Sequence, residues 1–229
     1  MAALSKTQID RLGDRLREGS PSDADLRLLD EYRLSFGDTY NAIIRTIREK
    51  LQLEPTGRPA KTPSSITEKL RRESIRLSQI QDIAGCRIIV SDVFTQDNTT
   101  AILSGTFPES RVMDRRKNPS FGYRAVHVIV TTQGISVEIQ VRTALQDLWA
   151  ELSEKLSDVV DSSIKYGGGD PEDRQWLLSI SDSIEGWEEF ETQVHPGDQE
   201  LHTIIASEKS NLVEIIQNRI STLEGKRKR

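Results

Sequence analysis

Hydrophobic residues recur along this chain with two different periods. Leu26, Leu29, Tyr32, Phe36, Tyr40, Ile43, Ile44, Ile47 and Leu51 follow three- and four-residue steps. That spacing predicts one long amphipathic helix opening at Pro21-Ser-Asp23 and broken by Pro55-Thr-Gly57. Ser64 and Ser65 with Glu68 look like the capped start of a short helix running to about Arg72. Leu145, Leu148, Trp149, Leu152 and Leu156 return to helical spacing. Two more helices are expected, near 172–193 and 197–224, beyond the interruption Gly167-Gly-Gly-Asp-Pro171.

Between these helices the period drops to two. Cys86–Val90 and Arg111–Met113 read as short strands, and Ala101–Leu103 as part of a helix. Arg124–Thr132 and Ile135–Thr143 read as two strands joined at Gln133-Gly134, the composition of a hairpin turn. In Ser136-Val-Glu-Ile-Gln-Val-Arg-Thr143, Val137, Ile139 and Val141 point one way and Glu138, Gln140 and Arg142 the other. On the preceding strand Val126, Val128 and Val130 would face the core, with His127 and Ile129 opposite. Helices flanking a small mixed sheet define an α+β domain. The polar segment 1–24 precedes it, the domain itself spans 25–165, and a helical extension with a basic tail fills 166–229.

Charge sharpens the picture. Residues 41–90 hold ten Lys/Arg against five Asp/Glu, and residues 146–200 three against fifteen, within a chain of formal charge −5. A basic half suits an anionic ligand, although two solvated helical faces would give the same imbalance. The single cysteine, Cys86, sits in an apolar run and is expected to be a buried thiol in a reducing cytoplasm. Three scattered histidines and one cysteine offer no zinc spacing. No apolar run reaches the roughly 18 residues of a membrane span, so no membrane partner is expected. The tail Lys226-Arg-Lys-Arg229 is either a solvated end or a nucleic-acid contact.

Chemistry collects around the polar strand face. Asp82 leads through a glycine turn, Asp82-Ile-Ala-Gly-Cys-Arg87, into a buried strand. It is either a turn carboxylate or a metal ligand facing Glu138. Two carboxylates on a basic surface meet the needs of Mg²⁺ carrying a triphosphate, with Arg58, Lys61, Lys69, Arg71, Arg72 and Arg87 as countercharge. The loop Asp114-Arg-Arg-Lys-Asn-Pro-Ser-Phe-Gly-Tyr123 is cationic, and its tyrosine is either core or a platform for a base.

Taken in order, Arg58…Lys61…Ser65-Ile66…Lys69-Leu70, Asp82-Ile-Ala-Gly-Cys-Arg87, Gly122-Tyr-Arg-Ala-Val-His127 and Val137-Glu-Ile-Gln-Val-Arg-Thr143 closely resemble the synthetase domain of RelA/SpoT homologues. The resemblance covers about residues 25–165, and the short chain looks like the small alarmone synthetases or their toxic relatives. No His-Asp dipeptide occurs, so the hydrolase half of the long members is not expected. The resemblance implies a nucleotidyltransferase-like fold, with a mixed β-sheet flanked by helices and with N- and C-terminal helical extensions. It implies transfer of a pyrophosphoryl group from ATP to the 3′-hydroxyl of GDP or GTP, with AMP leaving. Asp82 would bind Mg²⁺, and Glu138 would bind it too or deprotonate the hydroxyl. Arg58 and Arg87 would sandwich the adenine, while Lys61, Ser65 and Lys69 would hold the phosphates. Tyr123 would stack on the acceptor base, with His127 and Gln140 nearby and Arg142 buttressing Glu138.

Two departures stand out. The interval from Asp114 to Tyr123 is nine positions where ten is usual, and no lysine follows Pro119; Arg115, Arg116 and Lys117 are the compensating cations. Arg58 lies three residues before Lys61 where two is usual. The altered loop leaves the tRNA 3′ end or an adenosine nucleotide as alternative acceptors, with an antitoxin partner in that case. A non-catalytic nucleotide- or RNA-binding domain is a further alternative. The apolar stripe of Leu201–Leu223 suits either a homo-oligomer built through C-terminal helices or packing on its own domain.

Overall fold

The chain begins with a helix that its own caps define. In α1 (Lys6–Glu18) Ser5 and Gln8 form a reciprocal capping box, and Gly19 closes the helix in the left-handed conformation. The computed structural model describes residues 4–227, and the side chains of 4–225; the side chains of the basic tail fall outside these. The polar N-terminal segment is therefore helical over much of its length, burying Leu12 and Leu16. At Gly13 a Cβ would stand 2.7 Å from that of Leu77, so α1 packs closely on this residue.

The expected long helix is divided. The segment forms α2 (Asp23–Leu34), α3 (Gly37–Thr46) and a wide π turn at Ile47–Leu51. Ser35 Oγ donates to the Tyr32 carbonyl at 2.6 Å, a local bond that competes with helix propagation, and the poor helix former Gly37 follows. Past the π turn, and overlapping the expected helix breaker Pro55-Thr-Gly57, the chain forms the short strand β1 (Thr56–Arg58). Next comes α4 (Pro63–Arg72), capped by Thr62, whose side chain accepts from Ser65 N–H; Pro63 takes the first helical position. Ser64 and Ser65 thus lie inside the helix.

The remaining order is β2 (Ala84–Val90), α5 (Val93–Thr106), β3 (Ser110–Asp114), β4 (Val126–Thr132), β5 (Ile135–Thr143), α6 (Ala144–Val159), α7 (Pro171–Gln193) and α8 (Gln199–Arg227). The mixed five-stranded sheet runs β1-β2-β5-β4-β3, as an α+β fold. Gln133 and Gly134, at φ 52° and 79°, make the two-residue hairpin turn joining β4 to β5. β4 is buried on both faces, so His127 and Ile129 are buried along with the valines, His127 the least completely.

The chain divides into two compact units. One takes the residues up to Ile88, Ile102–Val112 and Val128–Gln140. Its core includes Leu12, Leu16, Leu29, Ile66, Leu70 and Ile83. The other takes Ile89–Ala101, Met113–His127 and everything from Val141 on. There α6, α7 and α8 share a core with Trp149, Leu152, Leu156, Leu177, Ile184 and Ile216. The α8 stripe is buried at Ile205, Leu212, Ile216, Ile220 and Leu223, and packing within this unit accounts for these five positions. Ile204 and Ile215 remain exposed.

Candidate active site

In the first unit, strand register determines which side chains share a face. β1 pairs antiparallel to β2 with Thr56 opposite Arg87, Gly57 opposite Cys86 and Arg58 opposite Gly85. Opposed residues of such a pair lie on the same face, which places Arg58, Gly85 and Arg87 together. Cys86 falls on the other side and is buried; burial, with Glu138 adding to it, pushes its thiol up to about 12. Gly57 and Gly85 are glycines because the strands approach so closely. A Cβ on Gly57 would lie 2.4 Å from the Gly85 carbonyl oxygen. One on Gly85 would lie 3.0 Å from the Glu138 carbonyl oxygen and 3.6 Å from its Cβ. The side chain that Gly85 lacks therefore leaves room beside Glu138, on the face shared with Arg58 and Arg87. Gln140 Nε2 donates to Glu138 Oε2 at 2.6 Å and fixes its orientation.

Asp82 enters β2 with both carboxylate oxygens engaged by lysines. Lys61 donates to Oδ2, and Lys69 donates to Oδ1 at 3.0 Å. The backbone holds Lys61 in place: its N–H donates to the Ile83 carbonyl at 2.7 Å, and Arg33 Nε donates to the Lys61 carbonyl at 2.5 Å. Burial works to raise the Asp82 carboxyl, but the two ammonium groups outweigh it and hold it below the usual carboxylate value. Burial lowers Lys61 despite the pull of Asp82 and, more weakly, of Glu138. Lys61 thus senses both carboxylates. Ser65 lies in the first turn of α4, four residues before Lys69.

The second unit brings together a different set. Tyr123 Oη lies 2.9 Å from His127 Nε2, the rings meeting edge to face at 5.7 Å between centroids. Arg142 Nη2 donates to the same hydroxyl at 3.0 Å and Nη1 to Asp147 at 2.9 Å, with the guanidinium 5.1 Å from the Tyr123 ring centre. A hydroxyl that accepts from Arg142 has its own proton to give to a neutral His127. Tyr123 is half-buried against the α6–α8 core and tied at its polar tip, so it is both a packed residue and a fixed ring.

The cationic loop divides its labour. Arg116 donates to both Asp114 oxygens, to Asp97 at 2.7 Å and to Gln96 at 3.1 Å, which commits it to holding the loop. Lys117 is exposed and Arg115 half-buried. A polar chain missed in the sequence continues from Gln96 to Gln146 at 2.8 Å and from Gln146 to buried Glu188 at 2.8 Å, with Thr143 donating to Glu188 as well. The capping box Thr143-x-x-Gln146 was its one visible signal.

Residues 57–158 match the model of the region found in RelA/SpoT proteins. These residues are similar to the synthetase domain of RelA/SpoT homologues. Over 170 residues the chain is 34% identical to an uncharacterized protein of Mycobacterium tuberculosis, aligning 71% of this chain and 62% of that one. It is 36% identical over 134 residues to the GTP pyrophosphokinase YjbM of Bacillus subtilis, covering 51% of this chain and 59% of the relative. The chain thus spans about three fifths of the curated relatives it matches. The crystal structure of small alarmone synthetase 1 from Bacillus subtilis bound to its product pppGpp is similar, with TM-score 0.55 and 28% identity. That similarity covers 75% of this chain and 96% of the other. All four motifs of the RelA/SpoT domain lie inside the matched region, and α7 and α8 follow it.

Proposed function

We propose that this chain is an ATP-dependent pyrophosphokinase that transfers the β,γ-pyrophosphoryl group of ATP to the 3′-hydroxyl of GDP or GTP. The observation that carries this reading is the face shared by Arg58, Gly85, Arg87 and Glu138, with Asp82, Lys61 and Lys69 in the same unit. Arg58 and Arg87 sit diagonally across a strand pair, an arrangement suited to guanidinium planes on either side of a purine. Lys61, Lys69 and the Ser65 hydroxyl would bind the phosphates.

Asp82 and Glu138 fit a hard divalent cation by their oxygen chemistry. Among the described residues no cluster of three or more His, Cys, Asp or Glu side chains is placed to hold a metal. Phosphate and water oxygens would therefore complete the shell of Mg²⁺ here. When bound, Mg²⁺ neutralises phosphate charge and stabilises what develops on the bridging oxygen.

Glu138, oriented by Gln140, would accept the proton of the 3′-hydroxyl as its oxygen bonds to the β-phosphorus of ATP. The bond from the β-phosphorus to the α,β-bridging oxygen breaks, and that oxygen leaves with AMP. Lys61 and Lys69 would exchange Asp82 for the ATP phosphates as the nucleotide arrives. Tyr123, held by His127 and Arg142, would present its ring to the acceptor base, with Arg115 and Lys117 on the acceptor phosphates. Cytoplasmic placement belongs to the same proposal and rests on the single buried thiol. No helix among the described residues is long and apolar enough to cross a membrane.

A second reading, the tRNA 3′ end as acceptor, is favoured by the exposed Phe121 and Lys117 on the acceptor loop. A toxin of that kind would call for an antitoxin. Incubation with ATP labelled at the γ-phosphate and GDP, GTP, ATP or tRNA in parallel separates the readings. Label on GDP or GTP is expected, label on tRNA or ATP alone replaces the acceptor, and label on none refutes the enzyme.

A further inference from the structure

The loop that carries Tyr123 is held from outside the matched family region. Arg124 is buried and its guanidinium makes four hydrogen bonds. Nη1 donates to the Arg116 carbonyl at 2.8 Å and to Glu185 at 2.6 Å, Nη2 to the other Glu185 oxygen at 2.7 Å, and Nε to Ser181 Oγ at 3.1 Å. Ser181 in turn donates to the Gly122 carbonyl at 2.7 Å. Both ends of the loop, at Arg116 and Gly122, are therefore tied to α7 by a bidentate ion pair and a serine relay.

Between those ties the backbone takes an uncommon form. Phe121 and Gly122 have φ of 53° and 88°, and Tyr123 N–H donates to the Ser120 carbonyl at 3.0 Å, closing a tight turn. The left-handed region is natural for glycine and costly for phenylalanine, so packing must hold Phe121 there. Its ring lies on Gly167, where a Cβ would stand 2.3 Å from the ring edge. Trp149 fills the space beside Gly122, where a Cβ would come within 2.8 Å. Phe121 and Gly122 belong to the stretch, Pro119-Ser-Phe-Gly122, in which the sequence departs from the family pattern. The extension supplies the pieces that fit this altered loop.

We propose that Glu185 and Ser181 of α7, with Gly167, form a clamp that sets the acceptor loop, and that Glu185 and Ser181 are positioning residues that determine acceptor use through Arg124 and the Gly122 carbonyl. The acceptor half of this proposal rests on the transfer reaction proposed above; the clamp itself does not. The Glu185 side chain is half exposed while Leu177, Ile180 and Ile184 anchor α7, so variants at Glu185 keep the helix in place.

The test uses the full chain carrying Glu185→Ala, Ser181→Ala or both, with Glu185→Gln as the milder variant. Hydrogen exchange at the amides of Tyr123 and Arg115, both bonded within the loop, should quicken about tenfold in the double variant while the α6 core amides do not change. KM for the nucleotide acceptor should rise about tenfold with KM for ATP within about twofold, because only the acceptor is misplaced. Glu185→Gln should fall between wild type and Glu185→Ala. Unchanged exchange at Tyr123 in the double variant overturns the clamp whatever the transfer assay shows. A loosened loop with unchanged acceptor KM and unchanged acceptor preference overturns the role in acceptor use. If the wild-type chain labels no acceptor, the transfer reading and the acceptor half fail together, and the exchange rates still decide the clamp.

Discussion

Replacing Asp82 by Asn removes one negative charge from between two ammonium groups and leaves the shape unchanged. The side chains of Lys61, Lys69 and Asp82 are 16, 21 and 19% exposed, so the cluster is mostly buried without being dry. Breaking a fully buried pair by removing one partner costs roughly 3–5 kcal/mol. The remaining solvent contact reduces this to about 2–3 kcal/mol at neutral pH. Asn can also accept from only one lysine, and its amide N–H₂ would point at the other donor. Urea unfolding of wild type and Asp82→Asn at pH 7, in the presence of a chelator, measures the difference. The deficit should depend on pH in both directions. Asp82 has a lowered pKa in the fold, so its contribution is present above its ordinary value of 3.8 and fades as pH falls through the lower folded value. Lys61 is already lowered by burial, and without Asp82 it sheds its proton more readily, so the variant regains stability as pH rises towards 10.5. A variant within about 0.5 kcal/mol of wild type at pH 7 would refute the idea that this carboxylate balances the lysines.

Two other predictions concern buried groups. With its thiol raised from 9.0 to about 12, Cys86 should hold roughly a thousandfold less thiolate than an unfolded cysteine at pH 8. Native protein should therefore resist iodoacetamide and denatured protein react; fast native alkylation contradicts the burial. Burial raises Glu188 above its ordinary 4.5, against the bonds from Thr143 and Gln146. Its stabilising contribution is full below that value and is lost as pH rises through the folded pKa, so Glu188→Gln should gain on wild type as pH rises from 4.5 through that higher folded value. Parallel stability profiles in urea would show that this carboxyl does not titrate as described.

Much of the site was legible because its signals are local. The alternation of Val137–Arg142 fixed β5 and its two faces, and Gln133-Gly134 named a turn that only left-handed residues can make. The ends of elements were harder. Ser64 and Ser65 looked like caps, but Pro63 belongs at the first helical position and moves the cap to Thr62. α1 was missed although Ser5 and Gln8 announce it, because so few apolar residues follow. Three residues at Thr56–Arg58 give too little alternation to mark a strand, and β1 exists because β2 offers it an edge. The Lys61–Asp82 pairing and the Arg124–Glu185 clamp link residues 21 and 61 positions apart, which no local pattern records. Lys61 and Asp82 were both singled out, for phosphate and metal, without their attraction for one another being foreseen.

The most direct measurement is label transfer by Glu138→Gln, read beside its affinity for ATP. Gln keeps the size of the side chain and its place beside Gly85 and Gln140, but it cannot take a proton. Transfer should fall by at least about a hundredfold, the range of a lost general base, while ATP binding stays within about threefold of wild type. A variant that transfers label at the wild-type rate would remove Glu138 from the reaction and with it the assignment of this strand face as the catalytic floor.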